Sequence, residues 1–153
     1  MRLESSIVIG KAPEEVWALL GPVENIAKWD RGVARTVAKT ERADGPIGME
    51  FSTFADGPRS NHGRMDYKIV EARADCCKIQ LTNGDGNARF FRTAYWMFRT
   101  EPDQKGTLLH CLAEFELRFR YLFLAPILYW KRSALDVDLG YLKRFIEDGA
   151  TTR

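Results

Sequence analysis

Cysteine is scarce: Cys76, Cys77 and Cys111 are the only 3 in 153 residues. An odd number with two adjacent excludes a disulfide framework. A reduced, cytoplasmic setting is therefore expected. Histidine is scarcer still, with only His62 and His110. Neither Cys-x-x-Cys nor His-x-His spacing occurs, so no metal site is expected. An excess of one charge is also missing. The net charge is +2, without the basic surplus that marks nucleic-acid binding. No charged-then-apolar leader opens the chain, so no signal peptide is expected. The longest apolar run, Tyr121 to Trp130, has 10 residues, against about 20 for a membrane span. The glycine cluster Asn83-Gly84-Asp85-Gly86-Asn87 lacks the strand-to-helix flanks of a phosphate loop. Internal repeats, low-complexity tracts and linkers are absent.

What remains is an ordinary globular composition, 45% hydrophobic and 29% charged, at a length suited to one domain over residues 1–153. Aromatics reach 12%, with 9 Phe, 5 Tyr and 4 Trp. That richness favours a bulky core or an aromatic-lined pocket.

Residues 2 to 9 alternate as a strand around Leu3, Ser5, Ile7 and Ile9. Pro13, followed by Glu14 and Glu15, suits the first turn of a helix with Val16, Leu19 and Leu20 buried. Gly21-Pro22 stops it, and a second short helix is expected over Pro22 to Trp29. Strands are then expected over Val33 to Lys39, Gly48 to Ala55, His62 to Ala72, a segment around Cys77 to Leu81, Ala88 to Thr100, and Thr107 to Phe119. Ala43 to Pro46 reads as a turn. The aromatic strand from Ala88 has apolar residues on both faces, so periodicity leaves its facing open. In the last strand Leu109, Cys111, Ala113, Phe115 and Leu117 point inward.

The chain is organised around Tyr121 to Asp148. Leu124, Leu128, Leu135, Leu139, Leu142 and Ile146 recur at helical steps. Pro126 either starts or kinks this helix. One long helix must bury its stripe against the sheet. The expected fold is α+β, a helix-grip, with a seven-stranded curved antiparallel sheet wrapped around a long C-terminal helix and two short helices after strand 1.

Ile7-Val8-Ile9, then Ala12-Pro13-Glu14-Glu15-Val16-Trp17 and Trp29, resembles the opening of the START-like (SRPBCC) helix-grip superfamily. Asp44-Gly45-Pro46-Ile47-Gly48, Asp66-Tyr67-Lys68-Ile69-Val70-Glu71 and Lys105-Gly106-Thr107 are similar to its later punctuation. The likeness spans nearly the whole chain and points to the polyketide cyclase/dehydrase-like members. Trp29 is commonly followed by proline in that family; Asp30 stands here. The resemblance implies a ligand-binding fold, since the matching positions are structural.

A sheet of seven strands cannot press every inward side chain onto one helix, so a pocket is expected between sheet and C-terminal helix. Parity lines it with Met49, Phe51, Thr53, Met65, Tyr67, Ile79, Leu109, Cys111, Phe115, Leu135 and Leu142, a mostly apolar small-molecule site. Tyr67, Tyr95 and Thr53 are its polar candidates. A ligand carbonyl, or simply backbone or water, would satisfy them. His62 stands at a loop end, where an acid–base role and an ordinary loop position both fit. His110 falls on the polar face. Arg92 and Arg99 would serve as anion partners only if they point inward. Asp136 and Asp138 point about 200° apart on the helix, so at most one faces the cavity.

Three functions are in contention. The first is binding of a hydrophobic or aromatic small molecule, lipid or polyketide-like. The second is a cyclase or dehydrase acting by proton transfer, with His62, Tyr67 and Tyr95 as catalytic candidates. The third is a protein-interaction module. No cofactor and no nucleic-acid partner are expected. Tyr121 to Trp130, between Arg118, Arg120, Lys131 and Arg132, reads as a peripheral membrane or homodimer contact, or as the helix start packing on the sheet.

Overall fold

The computed structural model describes residues 1–40 and 45–149. Seven strands form one antiparallel sheet: β1 (Arg2–Ile9), β2 (Arg35–Ala38), β3 (Glu50–Phe54), β4 (Met65–Arg73), β5 (Cys76–Leu81), β6 (Phe91–Asp103) and β7 (Gly106–Leu117). Their spatial order is β1-β7-β6-β5-β4-β3-β2. The helices are α1 (Pro13–Leu20), α2 (Ile26–Trp29), α3 (Ala125–Trp130) and α4 (Arg132–Glu147). This is the helix-grip architecture expected from the sequence. The turn proposed at Ala43 to Pro46 lies partly outside the described residues.

The front of the chain follows its local chemistry. Pro13 occupies the start of α1, and the Glu15 carboxylate accepts the Ala12 N–H at 3.0 Å. Val16 and Leu20 are its buried residues. At the β6–β7 hairpin, Gly106 has φ +139°, and a Cβ there would stand 2.3 Å from the Ile9 carbonyl oxygen. Only glycine lets the hairpin approach the end of β1 so closely.

Four elements start later than expected by three residues or more. The second short helix, expected from Pro22, starts at Ile26 after a 3-10 turn over Val23–Asn25. The strand expected from His62 starts at Met65. Gly63 takes φ +62° against Ala55, a left-handed turn that no strand contains. The aromatic strand starts at Phe91, because Gly86–Phe90 forms a 3-10 turn. The long helix is the main correction. A 3-10 segment occupies Phe119–Leu124, α3 follows, and Lys131 (φ −78°, ψ 3°) separates it from α4. Pro126 therefore starts α3 instead of kinking a longer helix. The break has a packing cause. Leu128 packs with the cluster of Phe51, Tyr67 and Phe115, whereas α4 packs with Ile9, Leu109 and Cys111. One straight axis does not serve both clusters.

α4 buries Leu139, Leu142, Phe145 and Ile146 against Ile9, Leu109 and Cys111, with α1 and Trp29 closing the side. The second cluster fills the other half of the sheet around Phe51, Tyr67, Ile69 and Phe115. No described helix is long and apolar enough to cross a membrane.

Candidate functional site

Between the two clusters lies a cavity of about 100 Å³. Its roof is the corner of α1 and α2: Trp17, Leu20, Gly21, Ile26, Trp29, Asp30 and Val33. Its floor is the sheet: Phe51 and Thr53 from β3, Tyr67 from β4, Cys77 and Ile79 from β5, Trp96 and Phe98 from β6. The register explains this floor. Phe51 pairs with Tyr67, Ile69 with Ile79, Ile79 with Trp96, and Cys77 with Phe98. Antiparallel partners point to one face, so these side chains converge.

The walls are an aromatic box. Tyr67 stacks on Phe51 at 5.3 Å and meets Trp96 edge-on at 5.5 Å. Trp29 meets Phe98 edge-on at 6.1 Å. Few polar groups face this box. The Tyr67 hydroxyl bonds to Thr53 and reaches the Met65 sulfur at 3.5 Å. Burial, aided by the charge of Asp30, pushes the Tyr67 phenol far above its ordinary pKa. It is therefore a proton-bearing donor at any ordinary pH. Asp30 caps the end of α2, and its carboxylate accepts the Gly32 N–H at 2.8 Å.

The two indoles of the roof differ. Trp17 Nε1 donates to the Thr100 hydroxyl at 2.8 Å. Trp29 is 7% exposed, and its Nε1 has no hydrogen-bond partner among the described residues. A buried N–H without an acceptor costs about 1–3 kcal/mol.

Four of the residues expected to line the pocket are in its wall: Phe51, Thr53, Tyr67 and Ile79. Met49 and Met65 pack on the cluster behind it, and Phe115 is buried within that cluster. Leu109, Cys111 and Leu142 lie in the solid core beneath α4, with Leu135 against them. The expected space between sheet and C-terminal helix is therefore filled, and the opening lies under the α1–α2 corner. The cause is the steep packing of Leu139, Leu142, Phe145 and Ile146, all 3% exposed or less. Tyr95 lies on the opposite face of β6, beneath Lys78 Nζ at 4.5 Å, and is paired with Gln80 and Glu114. The facing of β6 that periodicity left open is thus decided: Ala94, Trp96 and Phe98 point inward. His62 is exposed in the β3–β4 loop, against Gly57.

The remaining ionisable candidates have protein partners outside the cavity. His110 Nδ1 lies 2.8 Å from Ser6 Oγ, on the outer face. Arg92 pairs with Glu116 at 3.1 Å and Arg99 with Glu101 at 2.5 Å. Asp136 accepts from Ser5, and Asp138 pairs with Arg31 at 3.1 Å. Burial pushes the Cys77 thiol up to about 11 and the Cys111 thiol up to about 12, so neither is a ready nucleophile. No cluster of three or more metal-ligating side chains occurs among the described residues.

Sequence reasoning missed the roof, namely Trp17, Trp29 and Asp30. Only the bounds of the two short helices and the buried face of the first were read from sequence. The one available signal was Asp30 itself, which stands where proline is usual in the similar family.

Solved structures share this fold at low identity. The Aha1 dimer from Colwellia psychrerythraea has a TM-score of 0.67 at 18% identity, with 99% of each chain covered. StfQ, the di-domain ARO/CYC from the steffimycin biosynthetic pathway, scores 0.72 at 14% identity, with 97% of this chain covering 50% of that one. This chain thus spans about half of StfQ. Norcoclaurine synthase from Thalictrum flavum, in complex with dopamine and hydroxybenzaldehyde, scores 0.71 at 10% identity, with 99% and 89% covered. No curated protein is significantly similar in sequence. The family model described as polyketide cyclase / dehydrase and lipid transport matches residues 1–147. With that match over nearly its whole length, on a helix-grip fold with an aromatic cavity, the chain belongs to the polyketide cyclase/dehydrase and lipid transport family.

Proposed function

We propose that this chain binds a hydrophobic, ring-bearing small molecule with a hydrogen-bond acceptor in the cavity under the α1–α2 corner. Trp29 carries the reading: its ring stands in the wall of an aromatic cavity, and its N–H, sealed in the closed state, has no partner among the described residues. A ligand carbonyl or phenol oxygen would recover the desolvation cost of that donor. Tyr67, kept protonated by burial, would supply a second donor by turning its hydroxyl away from the Met65 sulfur, a weak acceptor. The size sets a limit. A cavity of about 100 Å³ falls below the roughly 300–1,000 Å³ of drug-sized sites. It accepts about one ring while closed. A lipid or extended polyketide requires the corner of Ile26 and Trp29 to move outward.

Native mass spectrometry of the purified protein, followed by extraction, would identify a co-purifying hydrophobic molecule. Calorimetric titration with 4-hydroxyacetophenone tests the geometry. Trp29→Phe and Tyr67→Phe are expected to weaken binding about tenfold each, the value of one good hydrogen bond to a buried donor. Absence of any co-purifying molecule together with no heat of binding would overturn the reading.

A second reading, a cyclase-type enzyme, is favoured by one observation. Asp30 shares the cavity wall with Tyr67, close enough to raise its pKa. Asp30 would take a proton from the carbon next to a ketone, and the electron pair would move to the ketone oxygen. The Tyr67 hydroxyl would stabilise the enolate so formed. Exchange of that proton for deuterium, followed by NMR, is expected in the native protein and not in Asp30→Asn. Equal exchange in both would remove Asp30 as the base.

A further inference from the structure

The 3-10 segment and α3 turn most of their large side chains away from the protein. Phe119 is 90% exposed, Phe123 70% and Trp130 84%, with Leu122, Ile127 and Tyr129 beside them. Monomeric soluble proteins seldom leave so many large apolar groups together in water. The segment is nevertheless held in place. Tyr121 meets Phe90 edge-on at 5.0 Å, and Leu128 packs on the core cluster. The exposed side chains are therefore the outer surface of an anchored element and play no part in the core.

The charge around this patch is mainly positive, with Glu4, paired to Arg2, sharing a hollow with Tyr129 and Arg132. Arg89, Arg118, Arg120, Lys131 and Arg132 surround it, and no Asp or Glu occurs between Glu116 and Asp136. Arg118 donates to the Phe91 carbonyl at 3.0 Å and Arg132 to the Tyr129 hydroxyl at 3.2 Å. No carboxylate among the described residues pairs with any of the five. Five cations here exceed the +2 of the whole chain, so the rest of the molecule is net acidic. Arg89, Arg118 and Arg120, with Phe119 and Tyr121, line one open hollow. Guanidinium forks around an open hollow suit phosphate oxygens.

We propose that this end of the molecule docks on an anionic phospholipid surface. Phe119, Phe123 and Trp130 enter the boundary between headgroups and acyl chains, and the surrounding cations face lipid phosphates. A second copy of the chain fits the same patch poorly. A two-fold contact through it would set five unpaired cations against five. The docking does not rest on the ligand proposed above. The two are linked through α3, since Leu128 packs in the cluster that holds Phe51 and Tyr67.

Co-sedimentation with sucrose-loaded vesicles tests the assignment without any cavity ligand. Vesicles of phosphatidylcholine are compared with vesicles in which about 30% is phosphatidylserine. Binding is expected to the anionic vesicles and to weaken as salt rises. Each cation lost near such a surface lowers partition about fivefold, so Arg120→Glu with Lys131→Glu is expected to cost more than about 25-fold. Phe123→Ser with Trp130→Ser is expected to cost at least about tenfold with an unchanged melting temperature, as these side chains touch no core. In the native protein Trp130 fluorescence, isolated by difference against Trp130→Phe, shifts to shorter wavelength on binding. No partition to anionic vesicles would overturn the proposal. Equal partition to neutral vesicles, or an apolar pair that changes nothing, would overturn it too. Failure of the ligand titration leaves these results untouched.

Discussion

The two roof tryptophans give an internal comparison. Trp17→Phe and Trp29→Phe each remove the same part of an indole, so the loss of buried ring is similar. Their polar consequences are opposite. Trp17→Phe breaks the 2.8 Å bond to Thr100 Oγ1 and strands a hydroxyl on a residue 4% exposed, at about 1–3 kcal/mol. Trp29→Phe deletes an N–H that has no partner among the described residues and recovers about 1–3 kcal/mol of desolvation. The polar terms alone make Trp17→Phe the more destabilising by about 2 kcal/mol. Trp17 is the less buried of the two, so its ring truncation costs less and narrows this difference without reversing it. Urea unfolding of the ligand-free protein measures both, with equal m-values as the check on two-state behaviour. The reasoning also requires the order to reverse for ligand affinity: Trp29→Phe weakens it and Trp17→Phe leaves it. Losses of stability within about 0.5 kcal/mol of each other would refute it, because a Trp29 N–H satisfied by solvent is no orphan.

Two further predictions concern the core. Leu142 is 0% exposed beneath the sheet, so Leu142→Ala is expected to cost about 2–5 kcal/mol in urea unfolding. Cys111 gives a pH test. Burial raises its thiol from 9.0 to about 12 in the folded chain. The stability from keeping it neutral is present in full below pH 9.0 and is lost as pH climbs from there towards about 12. At about pH 10.5 the native protein is expected to have lost about 2 kcal/mol relative to Cys111→Ala, each referred to its own stability at neutral pH. Parallel stability curves through that range would show that the thiol does not titrate between the two states.

Much of the fold is local in origin, and local pattern reported it. Period-two alternation marked six of the seven strands, aromatic richness marked β6, Pro13 with Glu15 marked the start of α1, and the Leu139–Leu142–Ile146 stripe marked α4. A side chain's face within a strand follows from pleat geometry, so Phe51, Thr53, Tyr67 and Ile79 were placed inward from sequence alone. Periodicity carries no such information where both faces are apolar. Only cross-strand register put Trp96 and Phe98 inside and Tyr95 outside. Nor does periodicity reveal where a helix changes direction. Tyr121 to Asp148 keeps a helical stripe, yet it breaks at Lys131 because two separate clusters claim its ends. The cavity is a further step removed from sequence. It is the volume left when α4 packs solidly at one end of the sheet and the α1–α2 corner spans the other. The balance of such non-local packing decides which inward residues are solvated and which are sealed. Hence Leu109, Cys111 and Leu142 are core, while Trp29 and Asp30, not expected at the pocket, form the roof of the site.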